Sequence, residues 1–579
     1  MATKSNINQV DRERRRFLRT AIYSSALYGT GMLPGTSSTT QAAPAQLNDR
    51  VLIDLFLDGG PDMRHLIVPA FSSTQGSFGQ KYWANRQRSH NLAEYGQTAQ
   101  QRWNNDYYHI TVGNNGQNWN NNLTDFSNLN SGITFGIWKE AGWLIDMFRS
   151  GHVAFIFNAF GGTNRAHDLS SLMLKQGNVL SGLNDANRSG WGGRLARSAA
   201  GNCVGLTTTP SPFTFGPVGD AANYNPNDID NSELITVKNS REIGLYEAEF
   251  RDRQHSYFES WREKMSRSAK GYYAALQNEN LPEVYDKALQ HERNVRNFGK
   301  LIKSRLETVQ LPQLIEALYV YEGVNISGFP VNPEPDPAES RFGLARPVLH
   351  NTYNFGPQIR NAFDILAVSD LENFAATNFP GQFPDFQFKP RVLSMIYDDW
   401  DTHSQQRIFQ SVLNTDPNNP YVDRGIENGF RDIFGGKFGS NPAYSSSLHS
   451  GFSALWDSLS ASARQNIVVT VAGEFGRQIR DNGDKGTDHG VGNLMMVICE
   501  NCNGGIYGEM FPSSEISKYD EPVENVPHID GRTEIDHIFS KVCDWVHPNS
   551  GTDVFPRTSA SYNGTAPIIE RIGMLNNLF

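Results

Sequence analysis

Five short apolar runs limit what this 579-residue chain can fold into: VLIDLFLDGG (51–60), VAFIFNAFGG (153–162), RVLSMIYDDWDTH (391–403), NIVVTVAGEFGR (466–477) and NLMMVICENC (493–502). Each is rich in β-branched and aromatic residues, nearly continuous in apolar character and too short for a buried helix, so each is expected to be a buried strand. Long stretches with helical patterning separate most of them. Continuous rather than alternating apolar strands, interleaved with helices, belong to a mainly parallel sheet covered on both faces. The expected class is α/β, a three-layer α/β/α domain over residues 46–579, a length that also admits two or three domains.

The residues at the ends of these runs are polar and specific. Asp58-Gly-Gly-Pro-Asp62 comes after the first, Asn158, Asn164 and His167 mark the second, Asp398, Asp399, Asp401 and His403 the third, and Glu474 and Arg477 the fourth. Ligand sites of open parallel sheets form at the carboxyl ends of the strands. Acids and histidines gathered there predict one shared site.

The intervening segments are longer than connections need to be. Residues 101–132 are crowded with Asn and Gly and read as an irregular surface excursion. Residues 239–320 are charged, with Leu, Tyr and Phe at three-to-four spacing, and read as a helical cap or insertion. The Pro-rich stretch 327–347 reads as a loop returning to the sheet.

The first 45 residues read as an export signal. Arg14-Arg15-Arg16-Phe17-Leu18-Arg19 precedes a weakly apolar stretch, Ala21 to Leu33, and then Ala43-Pro44-Ala45 has the form of a cleavage site before Gln46. Paired arginines before Phe-Leu resemble the twin-arginine signal. The resemblance implies an encounter with the twin-arginine export machinery and a periplasmic or secreted destination. The stretch is too short, and too rich in Ser, Thr and Gly, to span a bilayer stably, so no stable membrane span is expected in the mature form. The leader carries a net +4, so removing it takes the formal charge from −10 to −14. An acidic body argues against nucleic acid or an anionic membrane as partner.

Four cysteines do not make a disulfide scaffold. Cys499 and Cys502 have the spacing of a local disulfide, or of a redox or metal pair. Cys203 and Cys543 stand alone, so the second pair of a zinc ribbon is absent.

Two spacings carry metal chemistry together. DDWDTH separates Asp399 from His403 by three residues with Asp401 between, and GTDHG (486–490) puts Asp488 beside His489. Carboxylate and imidazole suit zinc, manganese and similar divalent ions, and Asp/His sets from separate loops can hold one or two of them. Each motif alone is weak, since an Asp-His pair is also an ordinary capped turn. Asp58 and Asp62 equally fit helix caps, Glu474 and Arg477 a structural salt bridge, and His167 a satisfied residue at a helix start.

The order of LDGGPD, NRAH, SGWGGRLAR (189–197), DTHSQQ (401–406), GEFGR (473–477), GTDHG and GGIYGEMFP (504–512) resembles that of the exported bacterial domain family of unknown function number 1501. That family is similar to the alkaline phosphatase and sulfatase superfamily. The resemblance implies an alkaline-phosphatase-like fold and divalent metal ions, with zinc, manganese, magnesium and calcium not distinguished. The metal ligands it implies are Asp58 or Asp62, Asp399 or Asp401, His403, Asp488 and His489, with Glu474 beside the metals and Arg477 as an oxyanion clamp. It also implies a hydroxyl nucleophile near the start of a helix. Here the expected Ser-His is Ala166-His167, which leaves Thr163, Ser170 and Ser171 as candidates and His167 beside them. A last superfamily histidine has His528 and His537 as candidates. No sulfatase-type Cys-x-Pro-x-Arg is present.

The expected function is therefore metal-dependent hydrolysis of a phosphate or sulfate ester on a small molecule or glycan. The alternative is a secreted, non-catalytic scaffold that keeps the fold and binds glycans or partner proteins.

Overall fold

A computed structural model describes Leu47 and residues 49–113, 124–127, 129–162, 165–177, 189–207, 210–218, 225–229, 235–237, 240, 299, 301–312, 314–315, 355–383, 386–397, 400–403, 406–407, 426–436, 451–522, 525, 527–555 and 572–579. The leader, the Pro-rich stretch 327–347, most of the 239–320 insertion, and the candidates Thr163 and Asp399 lie outside these residues.

All five apolar runs are strands of one sheet. In chain order its members are β1 (Val51–Leu57), β2 (Thr124–Asp125), β3 (Val153–Phe160), β4 (Asn202–Gly205), β5 (Ile235–Thr236), β6 (Pro390–Tyr397), β7 (Ile467–Gly473), β8 (Asn493–Ile498), β9 (Gly505–Tyr507) and β10 (Thr533–Glu534). The spatial order is β5-β4-β6-β1-β7-β8-β3-β9-β2, with β10 also paired to β3. β1 is central and wholly buried, parallel to β6 and to β7, with Asp54 level with Ser394 and Thr470.

One strand departs from the parallel pattern. β8 runs antiparallel to both β7 and β3. A parallel return needs a crossover connection, usually a helix, whereas residues 474–492 come back through turns and short backbone bridges. The consequence is positional: GTDHG enters β8 at the edge of the sheet that GEFGR leaves from β7.

Side chains of β1 alternate between two cores. Val51, Ile53, Leu55 and Leu57 pack on one face with Phe355, Ile359, Phe452 and Leu455, whereas Leu52 and Phe56 face Trp191, Leu195, Ile535 and Phe539. With α1 His167–Gln176, α2 Trp191–Ser198, α3 Phe355–Ala367, α4 Ile426–Phe434, α5 Gly451–Ser458 and α6 Ile535–Val546, helices α3 and α5 cover the first face and α2 and α6 the second. The architecture is mixed α/β with a mainly parallel central sheet between helical layers.

The described residues of the segment 101–132 are more regular than its composition suggests. Ala99–Asp106 is a helix whose N-cap Thr98 forms a reciprocal capping box with Gln101, and Tyr107–Thr111 is a strand antiparallel to Thr134–Trp138. The Thr-x-x-Gln box and the Tyr-Tyr-His-Ile-Thr run outweigh the surrounding asparagines. In the 239–320 segment the described residues 301–306 and 314–315 are helical. Among the described residues no helix is long and apolar enough to cross a membrane.

Candidate metal centre

Loops from the carboxyl ends of β1, β3, β6 and β7, joined by the loop entering β8, meet at one edge of the sheet. Their close approach depends on glycine. Gly59 has φ +103°, and a Cβ there would lie 2.6 Å from the backbone N of Asp401; a Cβ on Gly486 would lie 2.3 Å from the carbonyl carbon of His403. Backbone thus packs on backbone where LDGG, DTH and GTDHG come together.

Four side chains converge there: His167, Asp401, His403 and His489 each offer one ligand atom, all within 4.8 Å of one another. Asp401 Oδ1 lies 3.2 Å from His403 Nε2 and 3.5 Å from His489 Nε2, and Asp401 Oδ2 lies 3.5 Å from His167 Nε2. His403 Nε2 and His489 Nε2 are 2.8 Å apart.

The far nitrogen of each imidazole faces an oxygen. His167 Nδ1 is 2.5 Å from Glu474 Oε1, His403 Nδ1 is 3.0 Å from Asp488 Oδ1, and His489 Nδ1 is 2.7 Å from the carbonyl of Arg165. Hydrogen bonds from Asn482 and His403 outweigh burial and hold Asp488 below the ordinary carboxylate range, so its oxygen accepts. A carbonyl can only accept. His403 and His489 therefore carry a proton on Nδ1, and in the neutral rings their Nε2 atoms face each other as lone pairs. His167 Nε2 is likewise buried without a hydrogen-bond partner. Burial, reinforced by the charge of Arg477, outweighs Asp401 and lowers the pKa of His489, which favours the neutral imidazole that binds metals.

In the neutral rings the two facing imidazole nitrogens and the carboxylate oxygen repel one another unless a cation or proton lies between them, and the unpartnered Nε2 of His167 borders the same point. A tetrahedral zinc ion with bonds of about 2.0–2.1 Å would space its ligand atoms roughly 3.3 Å apart, close to the separations seen. The donor set fits one divalent ion, and carboxylate or carbonyl partners behind metal-bound histidines are the usual way to fix their tautomers.

Asp401 is held in place from below. Burial raises its pKa, but the hydrogen bond and charge of Arg477 outweigh that and keep it well below the ordinary value. Arg477 donates to Asp401 Oδ1 at 2.9 Å, to the carbonyls of Gly60 at 2.6 Å and Gly59 at 2.5 Å, to Thr487 O at 3.0 Å and to Trp400 O at 3.3 Å. Its side chain is 0% exposed while Asp401 is 49% exposed. The oxyanion clamp expected of Arg477 is corrected by this burial: every nitrogen is committed to the protein, so it braces the ligand loops. Phe475 packs its ring 4.2 Å from His489 and 5.0 Å from His167, centroid to centroid.

The other expected site residues stand behind or outside the cluster. Asp488 and Glu474 back His403 and His167 and are not among the four converging residues: Asp488, read from the sequence as a ligand, stands behind one, and Glu474, read as standing beside the metals, stands behind His167. Glu474 is 1% exposed, and burial with the charge of Asp58 pushes its carboxyl up to about 7. Asp58 is half-buried after β1 and near enough to Glu474 to be felt there. Asp62 is the other correction: its carboxylate pairs with Arg86, accepts from Gln406 Nε2 at 2.8 Å and caps the backbone N of Arg64 at 3.2 Å, all in the interior. Burial raises its pKa, but the charges of Arg86 and His65 overcome this and hold it ionised. Ser170 is fully buried and Ser171 half-buried on α1. His528 bridges to Gln478, and His537 is buried on α6; neither is among the four. Asn158 lies within β3 and bonds Arg64 and Glu509.

The sequence treats His167 as a neighbour of the missing nucleophile, and the structure brings it into the cluster instead. The signal is its place at the first turn of the helix after β3, beside an alanine where a hydroxyl is expected. The carbonyl of Arg165 is not legible at all, because a backbone acceptor leaves no trace in residue type.

Residues 387–525 match the family model described as "Protein of unknown function (DUF1501)". That span holds β6, β7, β8 and the loops of Asp401, His403, Glu474, Arg477, Asp488 and His489, while His167 lies outside it. No curated protein and no solved structure matches the chain.

Proposed function

We propose that this chain is an exported, metal-dependent hydrolase of phosphate or sulfate esters on an alkaline-phosphatase-like scaffold, with one divalent ion held by His167, Asp401, His403 and His489. The observation that carries the reading is the 2.8 Å approach of His403 Nε2 to His489 Nε2 while both Nδ1 protons are given to other oxygens. When bound, the ion supplies Lewis acidity, polarising an ester oxygen and lowering the pKa of water.

The protein's own groups do the rest. Asp488 and the Arg165 carbonyl fix the tautomers of His403 and His489, Glu474 holds the His167 ring in place, and Arg477 keeps Asp401 ionised and aimed. The half-exposed carboxylate of Asp401 and half-exposed ring of His403 form the open side of the cluster, where an ester would enter. Arg165 has its guanidinium 3.5 Å from the His489 carbonyl and only half-buried, which leaves it as the cation able to meet an anionic ester from the rim.

A non-catalytic reading is favoured by one feature. Ala166, exposed at the N-cap of α1, offers no hydroxyl where the family resemblance expects the nucleophile, and Ser170 is buried beneath it. Aryl phosphate and aryl sulfate esters assayed with zinc-, manganese-, magnesium- and calcium-loaded protein separate the two. Turnover that disappears in His403→Ala supports the hydrolase. Stoichiometric metal binding with no turnover on either ester class favours a scaffold that binds glycans or protein partners.

A further inference from the structure

We propose that Gln406 and Thr487 form a positioning clasp that sets the geometry of the metal cluster without touching it. The inference rests on the proposal that the cluster binds a divalent ion. Gln406 is buried, and its polar groups join three segments to its own. Its Oε1 accepts from Thr487 Oγ1 at 2.9 Å, and its Nε2 donates to Asp62 Oδ2 at 2.8 Å and lies 3.2 Å from His65 Nδ1. Its backbone N donates to Lys485 O at 3.0 Å, and its carbonyl accepts from Ile426 N, at the start of α4, at 2.9 Å.

The residues so joined are those that flank the ligands. Thr487 immediately precedes Asp488 and His489; its N donates to Thr402 O at 3.1 Å, and its own carbonyl accepts from Arg477. Gln406 lies three residues beyond His403 in DTHSQQ. Asp62, four residues past Asp58, extends the connection through Arg86, which donates to the carbonyls of Ile479 at 2.9 Å and Gln478 at 2.5 Å. Gln478 N in turn donates to Asp488 O at 2.8 Å. Pairs of hydrogen bonds thus close a ring through the loops after β1, β6 and β7. An uncharged amide suits the Gln406 position, because one atom donates to a carboxylate while the other accepts from a hydroxyl. The ligand-loop spacing is therefore set by a directional amide rather than by the ion, and a binding site held this way is preformed.

The test measures zinc and manganese affinity by competition with a chromophoric chelator, alongside thermal unfolding of the metal-free protein. Variants are Thr487→Val, which keeps shape and loses the hydroxyl, Thr487→Ser, which restores it, and Gln406→Met. Thr487→Val and Gln406→Met are expected to bind each ion about 10- to 100-fold more weakly, with Thr487→Ser near wild type. The double variant is expected to be no worse than the poorer single, since both break one contact. A purely structural role would lower the unfolding temperature and leave affinity within about threefold of wild type, and that result overturns the clasp. If Gln406→Met does not fold, the comparison of Thr487→Val with Thr487→Ser decides alone. Wild-type protein that binds neither ion, nor magnesium or calcium in the same competition assay, overturns the metal reading and the clasp with it, whereas wild-type binding with unaffected variants overturns the clasp alone.

Discussion

Asp488 Oδ1 lies 3.0 Å from His403 Nδ1 and takes a second hydrogen bond from Asn482 Nδ2 at 3.0 Å, so the acid of GTDHG orients an imidazole while its neighbour His489 offers the candidate ligand atom. Adjacent residues in one motif thus do different work. Asp488→Ala is expected to weaken divalent-ion affinity about 10- to 100-fold, the usual effect of losing a partner behind a ligand. His489→Ala should remove measurable binding at the same concentrations. Calorimetric titration with zinc compares them, and equal losses would place Asp488 on the ion after all.

Arg477→Lys tests whether the buried guanidinium is a brace. A lysine keeps the charge but cannot reach Asp401 and four carbonyls at once. A hydrogen bond to a charged group is worth about 1.5–3 kcal/mol, so losing at least one of them should lower the urea unfolding free energy by about that much. An oxyanion clamp would behave differently, with turnover lost and the unfolding midpoint unchanged.

Asp54, buried in the middle of β1 and hydrogen-bonded by Thr470 Oγ1 at 2.7 Å, has its carboxyl pushed by burial from 3.8 to about 7. The folded state therefore holds this proton more tightly than the unfolded state. Stability from this group is complete below about pH 4, falls as the pH rises towards 7 and is level above it. At about 1.4 kcal/mol per pH unit the fall is on the order of 4 kcal/mol. Asp54→Asn keeps the acceptor for Thr470 and should flatten urea midpoints measured between pH 4 and 8. An unchanged slope would show that Asp54 is already ionised at low pH.

Cys203, Cys499, Cys502 and Cys543 are all free and buried, and burial raises the pKa of Cys203 and Cys543. For Cys502 the hydrogen bond with Cys499 comes first and burial second, in the same direction. Such thiols are inert. A maleimide reagent at pH 8 should label none of the four in folded protein and all four in guanidinium. Rapid native labelling at Cys499 or Cys502 would instead favour a redox role for that pair.

The sheet is legible in the sequence because continuous apolar strands need cover on both faces, and the site's location comes from where those strands end. Residue order does not show which member of each polar pair touches the shared point. Asp401 rather than a more distant acid enters because Arg477 aims it. Asp62 is drawn inward by Arg86, 24 residues away along the chain. Sequence spacing carries no information on such long-range partners. The antiparallel entry of β8 is equally hidden, since its residues look like those of its parallel neighbours and only the helix-free return from β7 sets its direction. The capping box at Thr98 is readable but masked by the asparagine-rich composition around it.

The central claim is that three imidazoles and Asp401 hold a divalent ion. Elemental analysis of the full chain after incubation with zinc, manganese, magnesium and calcium, followed by desalting, tests it directly. The account predicts one equivalent of at least one of these ions in wild type and none in a folded His403→Ala, His489→Ala double variant. Folded wild-type protein that retains none of the four, or a double variant that retains as much as wild type, would contradict it.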